Sequence, residues 1–150
     1  MPVRGIQNVR RAIKDLTESA NDDVRGVYFA GLQNIIESTP ARSGLARNSW
    51  FLTVQKPSDG VRKQAAKSGS ASLNQLSRMP KIVLGKILYL TNTADHINVL
   101  EYGGYPNPVK RGSFIDGRYQ KLSENGFSKQ APGGFARKNL ILMGKKIRSL

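Results

Sequence analysis

The chain has no cysteine, a single histidine and a single tryptophan, and it sets only ten acidic residues against 24 lysines and arginines. Without cysteine there are no disulfides and no thiolate metal sites, which fits assembly in a reducing cytoplasm. With His96 alone no histidine cluster forms, and the acids nearest to it, Asp95 and Glu101, make no recognised ligand pattern; His96 reads as an ordinary polar residue on a short helix. No apolar run reaches the roughly 18 residues of a membrane helix, and the first residues lack a continuous apolar core, so neither a membrane span nor a signal peptide is expected. The few acids form no general acid–base pair. Asp22 and Asp23 are adjacent on a helical pattern and cannot share a face, while Asp116 and Glu124 fall in an irregular region. No enzyme, cofactor or metal is expected.

What the chain has in abundance is positive charge. The formal net charge is +14 over 150 residues, which favours a polyanion or a negatively charged neighbour in an assembly. The charge is uneven: residues 1–50 carry a net +2, residues 51–90 a net +6 and residues 91–150 a net +6. The length suits one domain with one modest core, here taken as residues 1–150 with extended loops at 56–80 and 105–130.

Ile6, Val9, Ile13, Leu16, Ala20, Val24, Val27, Leu32 and Ile35 recur at helical spacing. They predict one long helix over about 5–38, kinked near 20–26 and stopped by Pro40. A helix this long in a small domain needs a partner along its length. Residues 48–55 alternate and are dense in β-formers, so they read as a strand. Residues 61–80 read as an exposed basic loop with a short helix near 71–78. Residues 82–91 read as a second strand, interrupted or bulged at Gly85, and residues 94–102 as a short helix. Residues 103–130 are irregular, with a third and fourth strand placed somewhere in 105–136. Phe135 to Leu150 reads as a final helix whose Lys145, Lys146 and Arg148 suit its C-terminus. The fold class is α+β: a small antiparallel or mixed sheet packed by a long N-terminal helix and a C-terminal helix, with long basic loops.

The segment Thr39-Pro-Ala-Arg-Ser-Gly-Leu-Ala-Arg-Asn-Ser-Trp50 links the long helix to the first strand. It lacks the glycine-rich loop, the Gly-Lys-Ser/Thr ending and the preceding strand of a nucleotide-binding loop. Gly44 is a turn glycine, Trp50 a core or interface aromatic, and Arg42 and Arg47 are expected to pair with acids on a neighbour. Two basic patches, Arg62, Lys63, Lys67, Arg78, Lys81 and Lys86, then Lys110, Arg111, Arg118 and Lys121 interleaved with Phe114 and Tyr119, could meet nucleic acid without base readout. A solvated loop or a charged seam between subunits explains them equally well, and no zinc-finger, RNA-recognition or homeodomain pattern is present.

The stretch Pro40-Ala-Arg-Ser-Gly-Leu-Ala-Arg-Asn-Ser-Trp50 resembles the turn that follows the long N-terminal helix in the tail-completion, or minor tail component, proteins of long-tailed bacteriophages. Leu90-Thr-Asn92, His96 and Val99-Leu-Glu-Tyr-Gly103 are similar to a later stretch of that family, although Ile97-Asn98 stand where Tyr-Ala is usual. Gln130-Ala-Pro-Gly-Gly-Phe135 resembles its segment before the final helix. The basic segments 56–80 and 105–129 have no counterpart in that pattern.

The resemblance implies a virion structural protein at the head–tail interface or tail end, completing the tail and joining it to the head around the DNA channel. It implies a homo-oligomeric ring, hexameric by first choice and dodecameric by second. Its partners would be connector, terminator or tail-tube proteins and, without base preference, double-stranded DNA. It assigns packing or inter-subunit roles to Arg42, Gly44, Arg47, Trp50, Glu101, Gly103 and Pro132, with Glu101 expected to pair with Arg42 or Arg47 within one subunit or between two. The bases of the two patches would face the channel or a neighbouring ring. The rival reading is a basic nucleic-acid-binding module or assembly factor acting in the host cell.

Overall fold

The computed structural model describes residues 3–105, 114–115, 118–119 and 125–150. Helix α1 (Val3–Ser38) runs unbroken for 36 residues, about 54 Å at 1.5 Å per residue. No break interrupts it near 20–26, and Asn21 there has a distinct task. Its side chain is buried and donates from Nδ2 to the Lys81 carbonyl (2.8 Å), while Oδ1 accepts from the backbone N–H of Val83 (2.8 Å) and Leu84 (3.3 Å). One turn later, Arg25 donates to the carbonyls of Pro80 (3.0 Å) and Met79 (3.5 Å). Asn21 is therefore where the helix joins the body. Residues 5–20 before it are all exposed.

The same clamp explains why the second strand is shorter than the sequence pattern suggests. The N–H groups of Val83 and Leu84 are spent on Asn21, Lys86 N donates to the Val83 carbonyl at 3.0 Å, and Gly85 turns the chain at φ 74°. Strand β2 begins only at Leu88 and ends at Asn92, and β1 is Trp50–Val54. The two pair antiparallel with Leu52 opposite Leu90 and Trp50 opposite Asn92. Asn48, expected to open the first strand, instead ends one helical turn, α2 (Leu45–Asn48).

Helix α3 (Ser70–Leu73) runs into a 3-10 turn at Asn74–Arg78, and α4 is Ile97–Tyr102. Strands β3 (Phe114–Ile115) and β4 (Arg118–Tyr119) fall within the expected 105–136 but pair with each other, not with the β1–β2 sheet. Helix α5 (Ala136–Arg148) closes the chain. The architecture is α+β, a small antiparallel sheet packed by a long first helix and a C-terminal helix.

The core lies where the second half of α1, β1 and α5 meet. Leu32, Ile35, Ile36, Trp50, Leu52 and Phe135 are buried there. The Trp50 and Phe135 rings meet edge to face, 6.4 Å between centroids at 87°. Helices α1 and α5 approach closely at Gly31, where a Cβ would stand 2.2 Å from Met143 Cγ and Sδ. Gly26, one turn and a half earlier, has nothing within 4 Å of such a Cβ. In urea denaturation, Gly31→Val should therefore lower stability by about 1–3 kcal/mol through overpacking. Gly26→Ala should raise it by about 0.4–1 kcal/mol through the unfolded chain's lost freedom.

Candidate interaction site

The segment 39–50 is a hub of buried hydrogen bonds. Thr39, fully buried, donates from Oγ1 to the Ile35 carbonyl (2.7 Å) and accepts from Trp50 Nε1 (2.9 Å). Arg47 donates from Nε to the Thr39 carbonyl (2.9 Å) and from Nη1 to the Lys67 carbonyl (2.8 Å). Asn48 joins the loop to the chain on both sides: Nδ2 donates to the Gln64 carbonyl (3.0 Å) and Oδ1 accepts from Ala71 N (2.9 Å). Trp50 N donates to Ser72 Oγ at 2.9 Å. The turn needs glycine at position 44, where φ is 88° and a Cβ would lie 2.3 Å from the Ala66 carbonyl carbon and Lys67 N.

Within its own chain, Glu101 takes another partner. It is buried, and it does not meet Arg42 or Arg47; Arg47 is committed to backbone carbonyls and Arg42 sits exposed on the turn. The Glu101 carboxylate instead caps α5. Oε2 accepts from the N–H of Phe135 (2.9 Å) and Ala136 (2.8 Å), and Oε1 accepts from the N–H (3.0 Å) and Nε (2.9 Å) of Arg137. Arg137 Nη2 returns to the Glu101 carbonyl at 3.1 Å, and its guanidinium lies 4.6 Å from the Tyr102 ring centroid. The reason is geometric: the first N–H groups of a helix lack internal acceptors and carry partial positive charge. Burial alone would raise the carboxyl, but the three N–H donors and Arg137 outweigh it and hold Glu101 below the usual carboxylate range.

Gly103 ends α4, its N–H donating to the Val99 carbonyl at 2.8 Å, and the Pro132 carbonyl accepts from Lys138 Nζ at 3.1 Å. His96 precedes the first residue of α4. Of the basic residues, Arg62 is turned inward: it donates to the carbonyls of Asn48 and Trp50 and lies 4.5 Å from the Phe51 ring centroid. Burial and nearby Arg78 lower its pKa from the ordinary arginine value. Lys63, Lys67, Arg78, Lys81 and Lys86 are exposed. Lys110, Arg111 and Lys121 lie outside the described residues, and of Arg118 only the backbone in β4 is described.

The three stretches singled out in the sequence, 39–50, 90–103 and 130–135, touch one another. Ala41 N donates to Gln130 Oε1 (2.8 Å), Asn92 Nδ2 to the Ala46 carbonyl (2.8 Å), and Phe135 N to Glu101, with Trp50 against Phe135. The partner of Glu101 escaped sequence reasoning because no local pattern ties an acid in α4 to the N–H groups that open α5, 34–36 residues on.

Among the described residues, the uncovered apolar surface includes two extended features. One is the stripe Ile6, Val9, Ile13 and Leu16 on the first half of α1, 54–77% exposed. The other is a groove of about 490 Å³ between β2 and α5, floored by Leu32 and Ile35 of α1 and walled by Leu88, Leu90 and Leu140. Ile87 and Leu140, both more than half exposed, stand at its rim, and Lys86 is its one charged lining residue. Among the described residues no three His, Asp or Glu are grouped to hold a metal, and no helix is long and apolar enough to cross a membrane.

Glu101→Gln should lower stability at pH 7 by about 2 kcal/mol, the scale of hydrogen bonds to a charged group. The pH dependence gives a separate signature. A carboxyl depressed in the folded state contributes stability that is present above the unfolded pKa, near 4.3, and lost as pH falls through the folded value. Denaturation midpoints measured from pH 7 to pH 2.5 should fall less steeply on the acid side in Glu101→Gln than in the native chain. No protein-family model, curated protein or solved structure matches this chain.

Proposed function

We propose that the chain is a non-enzymatic virion structural protein of the tail-completion class. It forms a ring at the neck or upper tail of a long-tailed bacteriophage, completing the tail and joining it to the head. The reading rests on the ordered resemblance of three stretches. The observation that carries it is their spatial union: the helix-to-strand turn, the Asn92–Gly103 stretch and the Gln130–Phe135 stretch share hydrogen bonds and one aromatic contact.

In this role the work is positional. The buried hub fixes the relation of α1, the sheet and α5, and leaves the exposed bases Lys63, Lys67 and Lys81 on the outside. In a ring these bases meet duplex DNA in the lumen, by charge and without base preference, or acidic faces of the adjoining connector, terminator or tube layer. A hexamer matches a sixfold tail; a twelvefold connector layer is the second choice. Assembly takes place in the host cytoplasm.

Electron cryomicroscopy of the purified source particle, with mass identification of its neck components, tests this directly. The expected result is density for this chain, in stoichiometric amount, as a ring between head and tail. Complete particles without the chain would overturn the reading. Tight nucleic-acid binding by the free protein, with a steep salt dependence, would then establish the rival basic binding module.

A further inference from the structure

We infer that Arg62 and Arg78 form a binding site for a phosphate group, either the phosphodiester of a nucleic-acid strand or free phosphate. The site stands apart from the ring proposal and holds for a free chain as for an assembled one.

Arg62 is fixed but only partly engaged. Its Nη1 donates to the carbonyls of Asn48 and Trp50, and its guanidinium carbon lies 4.5 Å from the Phe51 ring centroid. Both bonds use the same nitrogen. The N–H groups on Nε and Nη2 meet no acceptor among the described residues. Carbonyls thus hold one corner of the fork and an aromatic ring holds one face. A guanidinium oriented in advance loses little freedom when it takes a ligand.

Arg78 stands on the adjoining element. It ends the 3-10 turn Asn74–Arg78, which packs against β1, the strand that supplies the Trp50 carbonyl and the Phe51 ring. Its side chain is exposed and has neither an ion pair nor a hydrogen bond among the described residues. Its charge is felt at Arg62, where it acts in the same direction as burial, and no acid counters the two. The sequence offers none nearby in the chain: residues 60–94 hold six bases and neither Asp nor Glu. Asp59, just before that stretch, forms no ion pair among the described residues. Two like charges side by side, one of them partly dehydrated, repel each other. An anion bound between them turns that repulsion into attraction.

Two features select phosphate over carboxylate. A single guanidinium fork fills both oxygens of a carboxylate. A tetrahedral phosphate presents oxygens in several directions, so it takes donors from two guanidiniums on separate elements. The field also extends beyond the pair, through Lys63, Lys67, Lys81 and Lys86, all exposed. A strand with a charge at every backbone step meets such a stretch repeatedly, and its contact with the pair positions it without reading bases.

The test uses the full chain. The Nε–H resonances of Arg62 and Arg78 are followed by NMR in isotope-labelled protein while inorganic phosphate, a mixed-sequence DNA duplex or poly-glutamate is added at constant ionic strength. The expected result is a saturable shift of both resonances with phosphate, and at lower concentration with the duplex. A response to phosphate alone upholds the site and assigns it to a small free ligand. A response to the duplex alone upholds it and assigns it to a strand. Poly-glutamate acting at lower concentration than either would overturn it in favour of an acidic protein face, and so would silence with both phosphate probes.

Variants separate a site from a diffuse field. Arg78→Gln removes a side chain without a partner in its own chain, so melting should stay unchanged. Affinity for the responding probe should fall roughly tenfold, and for the duplex the slope against log salt should fall by about one. Lys145→Gln, an equal loss of charge on α5, should cost about twofold or less at physiological salt. Equal losses in Arg78→Gln and Lys145→Gln would overturn the site. So would full affinity in Arg78→Lys, which keeps the charge and loses the fork.

Discussion

Four hydrogen bonds converge on the Glu101 carboxylate from three consecutive residues, and most of the tertiary arrangement depends on them. A carboxylate held in the interior costs free energy unless its lone pairs are filled, and the start of α5 supplies the donors that fill them. The same donors would otherwise lack acceptors. One side chain thus resolves two deficits, and in doing so fixes where the last helix starts. Once that point is set, Phe135 is delivered to Trp50 and Met143 to the gap opposite Gly31. The groove between α5 and β2 is the remainder of that placement: α5 is held at its N-terminal end by Glu101 and against α1 by Met143, and it does not close fully over the sheet.

The 39–50 hub plays the corresponding part at the start of β1. It handles polar groups that the sharp change from helix to strand leaves inside. Thr39 is the junction, giving its hydroxyl proton to the helix it ends, receiving the indole N–H of the strand that follows, and offering its carbonyl to Arg47. Arg47 is therefore a backbone brace here, with its charge facing carbonyl dipoles. Arg62 serves similarly beside Phe51. Two of the bases whose number suggests a polyanion partner are thus anchored within the chain, and the outward field comes from exposed bases such as Lys63, Lys67, Arg78, Lys81 and Lys86.

Much of the fold was legible because periodicity is a local property. The apolar spacing over 5–38 and the final basic helix needed no long-range information, and α1 and α5 lie close to where it placed them. The alternation around Trp50 likewise located β1, although α2 takes the residues just before it. The failures have a common origin in partners distant along the chain. Residues 82–87 have strand-like composition, but Asn21, some 60 positions earlier, takes their N–H groups. The sequence matched Glu101 with Arg42 or Arg47, both more than 50 positions earlier, whereas within the chain the helix start at 135–137 holds the carboxylate. The stripe on α1 was uniform in the sequence, and nothing in its spacing marked residue 21 as the boundary between a covered and an uncovered half.

The clamp at Asn21 and Arg25 has a mechanical consequence. A loop attached at that point would absorb displacement by changing its backbone angles, whereas a hydrogen-bonded helix transmits it. The 18 residues 3–20 of α1 precede the clamp, a lever of about 27 Å. A sideways load on its tip arrives at residues 79–84 as torque, concentrated on two side chains and five backbone groups. The same rod that reaches outward is therefore able to turn the body, and the stiffness of any assembly built through it is set by those few hydrogen bonds.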